Sequence, residues 1–204
     1  MVACSLTGCA QTRLSHEPGL VTGWNRKPPA LVVPAPTLSL ELDSRHLSFG
    51  EPVESPLDKW WTTRSVRQRL EDMRGEFPML ARASWKDPTA AYRLAIEATH
   101  VADGNRKLHW ISEATKYVIP CSYQASIELD ARLFHGDTLL KRYDATGTYR
   151  VRQHLLWLLV PWAWHPRVPR ATARDTFRDL FLQIQQDAPT LLANGEMPVT
   201  GGEP

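Results

Sequence analysis

The chain has 204 residues, 43% of them hydrophobic and 23% charged, with a net charge of +2. This is the usage of a globular chain of one or at most two domains, and it excludes a disordered tail, a collagen-like fibre, a coiled-coil rod and a general polycation. No run of 18 apolar residues occurs, so no helix within this sequence is expected to span a bilayer.

The chain opens Met1-Val2-Ala3-Cys4-Ser5-Leu6-Thr7-Gly8-Cys9-Ala10. Leu6-Thr7-Gly8-Cys9 resembles the lipobox of bacterial lipoproteins, where small residues let the signal peptidase approach the backbone ahead of a cysteine. The resemblance implies that Cys9 takes a diacylglycerol, that residues 1–8 are the remnant of a signal peptide, and that the new amino terminus is acylated. Three acyl chains anchor stably, whereas one gives marginal binding. Only eight residues precede Cys9 and none is basic, while a signal peptide has a basic head and about 7–15 apolar residues. Either the leader begins upstream of Met1 or the four-residue match is accidental. An Asp after the cysteine commonly retains such proteins in the inner membrane. Ala10 and Gln11 stand here instead, so the resemblance implies an outer-membrane lipoprotein facing the periplasm. Loss of Cys4 and acylation of Cys9 leave Cys121 as the remaining thiol, with no internal disulfide to make. A cytosolic protein with three reduced thiols is the alternative. Cys4 and Cys9 have no His or Cys partner at metal-ligand spacing, so no zinc is expected.

Residues 9–36 read as a lipid anchor and Pro-rich tether. Pro18, Gly19, Gly23, Pro28, Pro29, Pro34 and Pro36 interrupt any helix or central strand, and at about 3.1 Å per residue such an arm holds a domain several nanometres off a membrane. A loop packed across the domain surface is the alternative.

Residues 37–188 read as one α+β domain, with a flexible tail at 189–204. Strict alternation over Thr37–Asp43 predicts a strand. Ser55 caps a helix with Pro56 in its first turn; its apolar stripe is Leu57, Trp61, Val66, Leu70, Met73 and Phe77, and Pro78 stops it. Tyr92, Leu94, Ile96 and Ala98 alternate with polar residues in a second strand that ends near Asp103-Gly104, a turn-rich loop whose flanking His100 and His109 read as surface residues. The strand over 122–134 alternates most clearly, from Tyr123 to Leu133 on one face and Ser122 to Arg132 on the other. His135-Gly136-Asp137 supplies a hairpin turn, and residues 138–151 return. Thr172–Gln186 is a helix with Phe177, Leu180, Phe181 and Ile184 on its stripe, closed by Pro189. The order strand-helix-strand-strand-strand-helix predicts an antiparallel sheet of about four strands with two helices on one face and a charged, solvated face opposite.

This order behind a lipobox and a Pro-rich tether resembles a broad set of small bacterial envelope lipoproteins. Members carry a Thr-Leu-Gly-Leu-Ile-Pro-like stretch before a long strand, then a Gly-turn hairpin, an apolar Trp/Leu/Pro loop and a C-terminal helix. Here Thr115-Lys116-Tyr117-Val118-Ile119-Pro120 precedes the strand, with Lys116-Tyr117 where members have Leu-Gly, and His154–Trp164 precedes the last helix. The resemblance implies location and fold.

Leu155–Trp164 is the most unusual stretch. Ten residues cannot span a bilayer, and Pro161 breaks a helix. Trp suits the membrane–water interface, its ring apolar and its N–H in need of a partner. Trp157, Leu158, Leu159, Trp162 and Trp164 are therefore candidates for contact with a membrane or a partner, equally with a place in the core. Between Lys141 and Arg178 eight Lys and Arg stand against two Asp and Glu. Arg150, Arg152, Arg167 and Arg170 flank the apolar stretch and read either as a basic rim for anionic head groups or as scattered surface arginines.

Catalytic signatures are missing: there is no nucleotide-binding glycine loop, no Gly-x-Ser-x-Gly elbow and no His-Glu-x-x-His helix. Glu128 and Asp130 share an outward strand face, a weak basis for glycoside hydrolysis. Arg174, Asp175, Arg178 and Asp179 read as a solvated helix face. No catalytic residue, metal or cofactor is expected, and no nucleic-acid partner, because the Trp residues are not interleaved with the basic ones. The expected function is a non-enzymatic binding or assembly module, held to the membrane by acylated Cys9 and contacting another envelope protein or lipid. A lipid-transport or outer-membrane assembly accessory with apolar cargo is one alternative, and an envelope-polymer hydrolase is another.

Overall fold

The computed structural model describes residues 9–16, 35–52, 63–156 and 167–195, and in it the alternating segments become long strands. β5 (Tyr92–Asp103), β6 (Cys121–His135) and β7 (Thr138–Gln153) are successive antiparallel neighbours. β6 and β7 meet in a two-residue turn, where Gly136 takes a φ of 56° and His135 pairs with Thr138. A hairpin this tight needs a positive φ, which glycine adopts without steric cost.

β2 (Leu38–Ser48) runs along the other side of β5 and parallel to it, from Leu38 opposite Tyr92 to Ser48 opposite Ala102. The chain between them contains α1 (Thr63–Arg74). A crossover of this kind is what a parallel pair requires, since a short turn cannot return the chain to the same end of the sheet. The short strands β3 (Glu51–Pro52) and β4 (Ala83–Trp85) lie on the outer edge of β2, antiparallel and parallel respectively. At the far side β1 (Cys9–His16) pairs antiparallel with β7. The order is β1-β7-β6-β5-β2-β3, with β4 beside β2.

The α+β class holds, with five corrections. Among the described residues the sheet is mixed rather than antiparallel, and it has seven strands rather than about four. A further helix, α2 (Arg106–Ala114), lies between β5 and β6. Residues 10–16 of the expected tether are a paired strand, because β7 offers them an open edge; residues 17–34 lie outside the described residues. The last helix, α3, spans Arg167–Gly195 and runs through Pro189, so the expected tail at 189–204 is helical over its first seven residues. Pro189 sits at an exposed position inside the helix, where it forgoes the backbone bond to the Gln185 carbonyl and its ring crowds that carbonyl. Leu57 and Trp61 of the first expected helix lie outside the described residues.

One sheet face carries the core. Leu38, Leu40, Leu94, Ile96, Ile127 and Leu129 pack under Val66, Leu70 and Met73 of α1 and under Phe177, Leu180, Phe181 and Ile184 of α3. Each such side chain contributes about 1.5–3 kcal/mol by leaving water. The rings of Phe77 and Phe181 stand 5.5 Å apart. Buried Gln185 accepts from the Met79 N–H at 3.3 Å, tying the turn Pro78–Leu80 to α3. The expected solvated face of α3 is partly turned inward: Arg174 and Arg178 both reach Glu76, and Asp175 and Asp179 are half-buried. Burial pushes the Asp179 carboxyl above its ordinary range. The opposite sheet face is an ion-pair ladder, Arg45 with Asp43 and Glu97, Arg93 with Glu41, and Arg132 and Arg142 with Asp130. Such exposed pairs are worth about 0–1 kcal/mol each.

α3 sits down on β7 at Gly147, where an added Cβ would run into Thr176 and Thr172. Gly147→Ala therefore overpacks the seam and lowers unfolding stability by about 1–3 kcal/mol in urea titration. Adding Thr176→Ala to that variant restores part of the loss; no recovery would place the strain elsewhere.

Candidate functional site

Five strand termini meet at one end of the sheet. Ser48 of β2 lies opposite Ala102 of β5, Asp103 opposite Gln124 of β6, and Cys121 opposite Gln153 of β7. Gln153 in turn lies opposite Cys9, the first residue of β1. The Phe49–Gly50 turn, α2 and the segment 115–120 all close this end.

α2 begins where Asn105 adopts an extended backbone and its Oδ1 accepts from the Leu108 N–H at 3.0 Å, a side-chain N-cap. Ser112 turns inward, and its Oγ donates to the Ile119 carbonyl at 2.6 Å. Tyr117 N–H donates to the Ser112 carbonyl at 2.6 Å, and Leu155 N–H donates to the Tyr117 carbonyl at 2.8 Å, which ties the segment to the tail of β7. Lys116 and Tyr117 take φ of 52° and 62°, and Phe49 takes 50°. These left-handed conformations are costly for residues with a Cβ and persist only where the surroundings enforce them. Tyr117 stands where the resembled stretch has glycine, and its buried ring explains why the conformation is accepted without one. Phe49 is held by ring contacts to His109 at 4.7 Å and Tyr123 at 5.9 Å.

Two polar chains run beneath. His100 is 4% exposed, not a surface residue as the sequence suggests, because its even position in β5 places it on the helix-covered face. Its Nδ1 lies 2.7 Å from Nδ1 of His46, and its Nε2 lies 2.6 Å from the Tyr149 hydroxyl. A neutral imidazole offers one donor and one acceptor, so a single direction of donation, from Tyr149 through His100 to His46 or the reverse, satisfies both bonds. Burial, and next the neighbouring His46, push the His100 pKa down to about 3. The Cys121 thiol, free and buried, donates to Gln153 Oε1 at 3.2 Å, with His109 Nδ1 at 3.8 Å. Nothing in the sequence pointed to the His46–His100–Tyr149 chain; the alternation that puts all three on the buried face was the available signal.

Above these chains the surface is apolar. Leu108, Trp110, Ile111, Val118, Ile119, Leu155 and Leu156 are all exposed, Trp110 by 69% and Leu156 by 62%. A groove of about 600 Å³ opens among Leu108, Pro120, Cys121, Gln153, His154 and Leu156, with Arg152 on its wall. Of the residues singled out from sequence, Arg152 is exposed at this groove, Arg150 is half-buried and Arg170 is exposed on α3. Arg150 and Arg152 project from the sheet face opposite α3, so they do not form one ring with Arg170. Arg167 opens α3; its side chain and Trp157, Leu158, Leu159, Trp162 and Trp164 lie outside the described residues. A second groove, of about 830 Å³, runs over the charged sheet face and is lined by Glu41, Asp43, Glu97 and Asp130. Each of these carboxylates pairs with an arginine of the ladder, and Glu128 accepts from Ser126 Oγ at 2.9 Å. That is the arrangement of a surface ion-pair network rather than of an acid and a base held apart. No group of three metal-ligating side chains occurs among the described residues.

No family model and no curated protein matches the sequence. Solved structures with a related outline include a minor lipoprotein from Acinetobacter baumannii, with 17% identity over 78% of this chain and 92% of that one at a TM-score of 0.39. A Xanthomonas campestris protein of the DUF330 family is similar at 14% identity over 83% and 92% of the two chains, with a TM-score of 0.35. A protein described as a candidate lipoprotein from Caulobacter crescentus CB15 shares 16% identity over 78% and 93%, with a TM-score of 0.29. At these values the likeness extends no role of theirs to this chain.

The buried histidine sets a pH dependence. Unfolded, His100 takes a proton near its ordinary 6.5; folded, it does so only near 3. Its contribution to stability is therefore complete above about pH 6.5 and is lost as pH falls toward 3, at up to about 1.4 kcal/mol per pH unit. Urea titrations between pH 6.5 and 4.5 show a shallower slope for His100→Gln than for the native chain. Equal slopes would mean that His100 is protonated in the fold. Tyr149→Phe costs about 1–2 kcal/mol at neutral pH by leaving one end of the chain without its hydroxyl.

Proposed function

We propose that this chain is a lipid-anchored protein of the bacterial envelope, held at the outer membrane and facing the periplasm, and that it acts as a non-enzymatic binding or assembly module. The observation that carries the reading is Leu6-Thr7-Gly8-Cys9, a lipoprotein-type processing stretch standing directly before the first strand of the domain. Ala10 and Gln11 in place of an Asp support the outer-membrane destination. The binding role is supported by the apolar strand end, where large side chains from α2, the 115–120 segment and the tail of β7 lie open to solvent. Contiguous exposed apolar surface of this kind marks contact sites on folded proteins. The non-enzymatic reading is supported by the pairing of the groove carboxylates with arginine and by the engagement of the Cys121 thiol as a donor to Gln153.

The groove beside Cys121 favours one second reading, an accessory that carries an apolar molecule. A cavity of about 600 Å³ lined by Leu108, Pro120 and Leu156 has the size and character of a small-ligand site. Native mass spectrometry of detergent-free protein separates the two, a co-purifying lipid favouring the carrier and its absence the module.

Mass spectrometry of the amino-terminal peptide, from protein expressed from its native locus, tests the anchor. The expected peptide begins at Cys9 and carries acyl additions, and Cys9→Ser protein leaves the membrane fraction. An unmodified peptide beginning at Met1 overturns the reading.

A further inference from the structure

We infer that the apolar strand end is a membrane-docking face, so that the domain lies against the bilayer surface instead of standing away from it. This rests on the lipid-anchor reading of Cys9 and adds the geometry that the reading by itself lacks. Cys9 is not the start of a free arm. It is the first residue of β1, in register with Gln153 of β7, and Gln153 is in register with Cys121 of β6. Neighbouring strands lie about 4.8 Å apart, so the backbone of Cys9 sits about 10 Å from that of Cys121. Acyl chains inserted at Cys9 bring the bilayer within that distance of the strand end.

Seven of the eight large apolar side chains exposed among the described residues lie on this end. Leu108, Trp110 and Ile111 come from α2, Val118 and Ile119 from the segment after it, and Leu155 and Leu156 from the tail of β7. Three separate pieces of chain thus present large apolar groups at one edge. The opposite end of the sheet, around the Gly136 turn, presents exposed Gly136, Asp137 and Thr138 with a single large apolar side chain, Leu139. Charge fits the same occupant. Lys107, Lys116 and Arg152 are exposed around the patch beside exposed Glu113 and Asp103, and exposed Arg106 and Glu51 neutralise each other at 2.7 Å. Lysine and arginine at the edge of an apolar patch reach phosphate head groups while their neighbours enter the acyl boundary. Trp110 has the side chain suited to that boundary, an apolar ring with one N–H donor. The occupant is therefore a phospholipid surface, reached in two steps: acyl insertion at Cys9 supplies the attachment, and the patch supplies the orientation. A domain docked this way cannot swing on its anchor, and its charged sheet face meets the periplasm at a fixed angle.

Site-specific fluorescence tests the orientation. Val118→Cys and Asp137→Cys are made singly in a Cys121→Ser background, whose hydroxyl keeps a donor for Gln153, and each is labelled with an environment-sensitive dye. Acylated protein, its Cys9 modification confirmed by mass, is placed in vesicles of phosphatidylethanolamine and phosphatidylglycerol containing lipid-borne quencher. The dye at Val118 is expected to shift to the blue and to lose severalfold more emission than the dye at Asp137. Equal, water-like emission from both positions on acylated protein overturns docking while leaving the anchor intact. Absence of the Cys9 modification instead removes the anchor reading itself. A Val118 dye protected without vesicles, in protein of doubled mass in solution, overturns docking in favour of a second copy.

Discussion

The molecule is governed by the coverage of one sheet face. Alternation in β2, β5, β6 and β7 puts every second side chain on the same side, and that side cannot face water along its whole length. α1 and α3 lie over the half where the alternating residues are Leu, Ile and Ala, and the contact is close enough at Gly147 to exclude any side chain there. Toward the other end the same alternation delivers His46, His100, Tyr149, Cys121 and Gln153. Polar groups in such a place must be bonded to one another, because an unpaired one costs more than the bond returns. The result is a sheet with an apolar half under helices and a polar half closed by its own hydrogen bonds.

The second consequence concerns α2. A nine-residue helix has too little surface to cover an open strand end and keep its own apolar residues inside, so Leu108, Trp110 and Ile111 are left outward. The strained backbones of Phe49, Lys116 and Tyr117 gather at the same place, held there by aromatic contacts and by the bonds from Ser112 and Leu155. A burial of apolar surface that the domain does not achieve alone is concentrated where β1 begins.

Much of the sheet was legible because period two is a local property. β6 and β7 follow the sequence pattern to within two residues at each end, and the Gly136 turn is where a hairpin required it. β1 was not legible: Cys9–His16 has no alternation, and only the open edge of β7 makes it a strand. α2 was missed because Asp103-Gly104 reads as the start of a turn-rich loop and the helix has only nine residues, although the Asn105 cap was there to be read. The parallel pairing of β2 and β5 could have been drawn from the helix lying between them. The burial of His100 was available in the alternation, as the next even position after Tyr92, Leu94, Ile96 and Ala98, whereas its partners Tyr149 and His46 arrive from other strands and were not.

What the sequence determined by itself was the four long strands β2, β5, β6 and β7, the face each one buries, and the apolar stripe of the last helix. These follow from spacing along the chain, which a local pattern records. Tertiary structure alone decided where Cys9 stands, which apolar residues stay in water and which histidine loses its charge. Each of those depends on what a distant strand places beside the residue, and neither hydrogen-bond register nor burial against a remote element is written in the order of neighbouring residues.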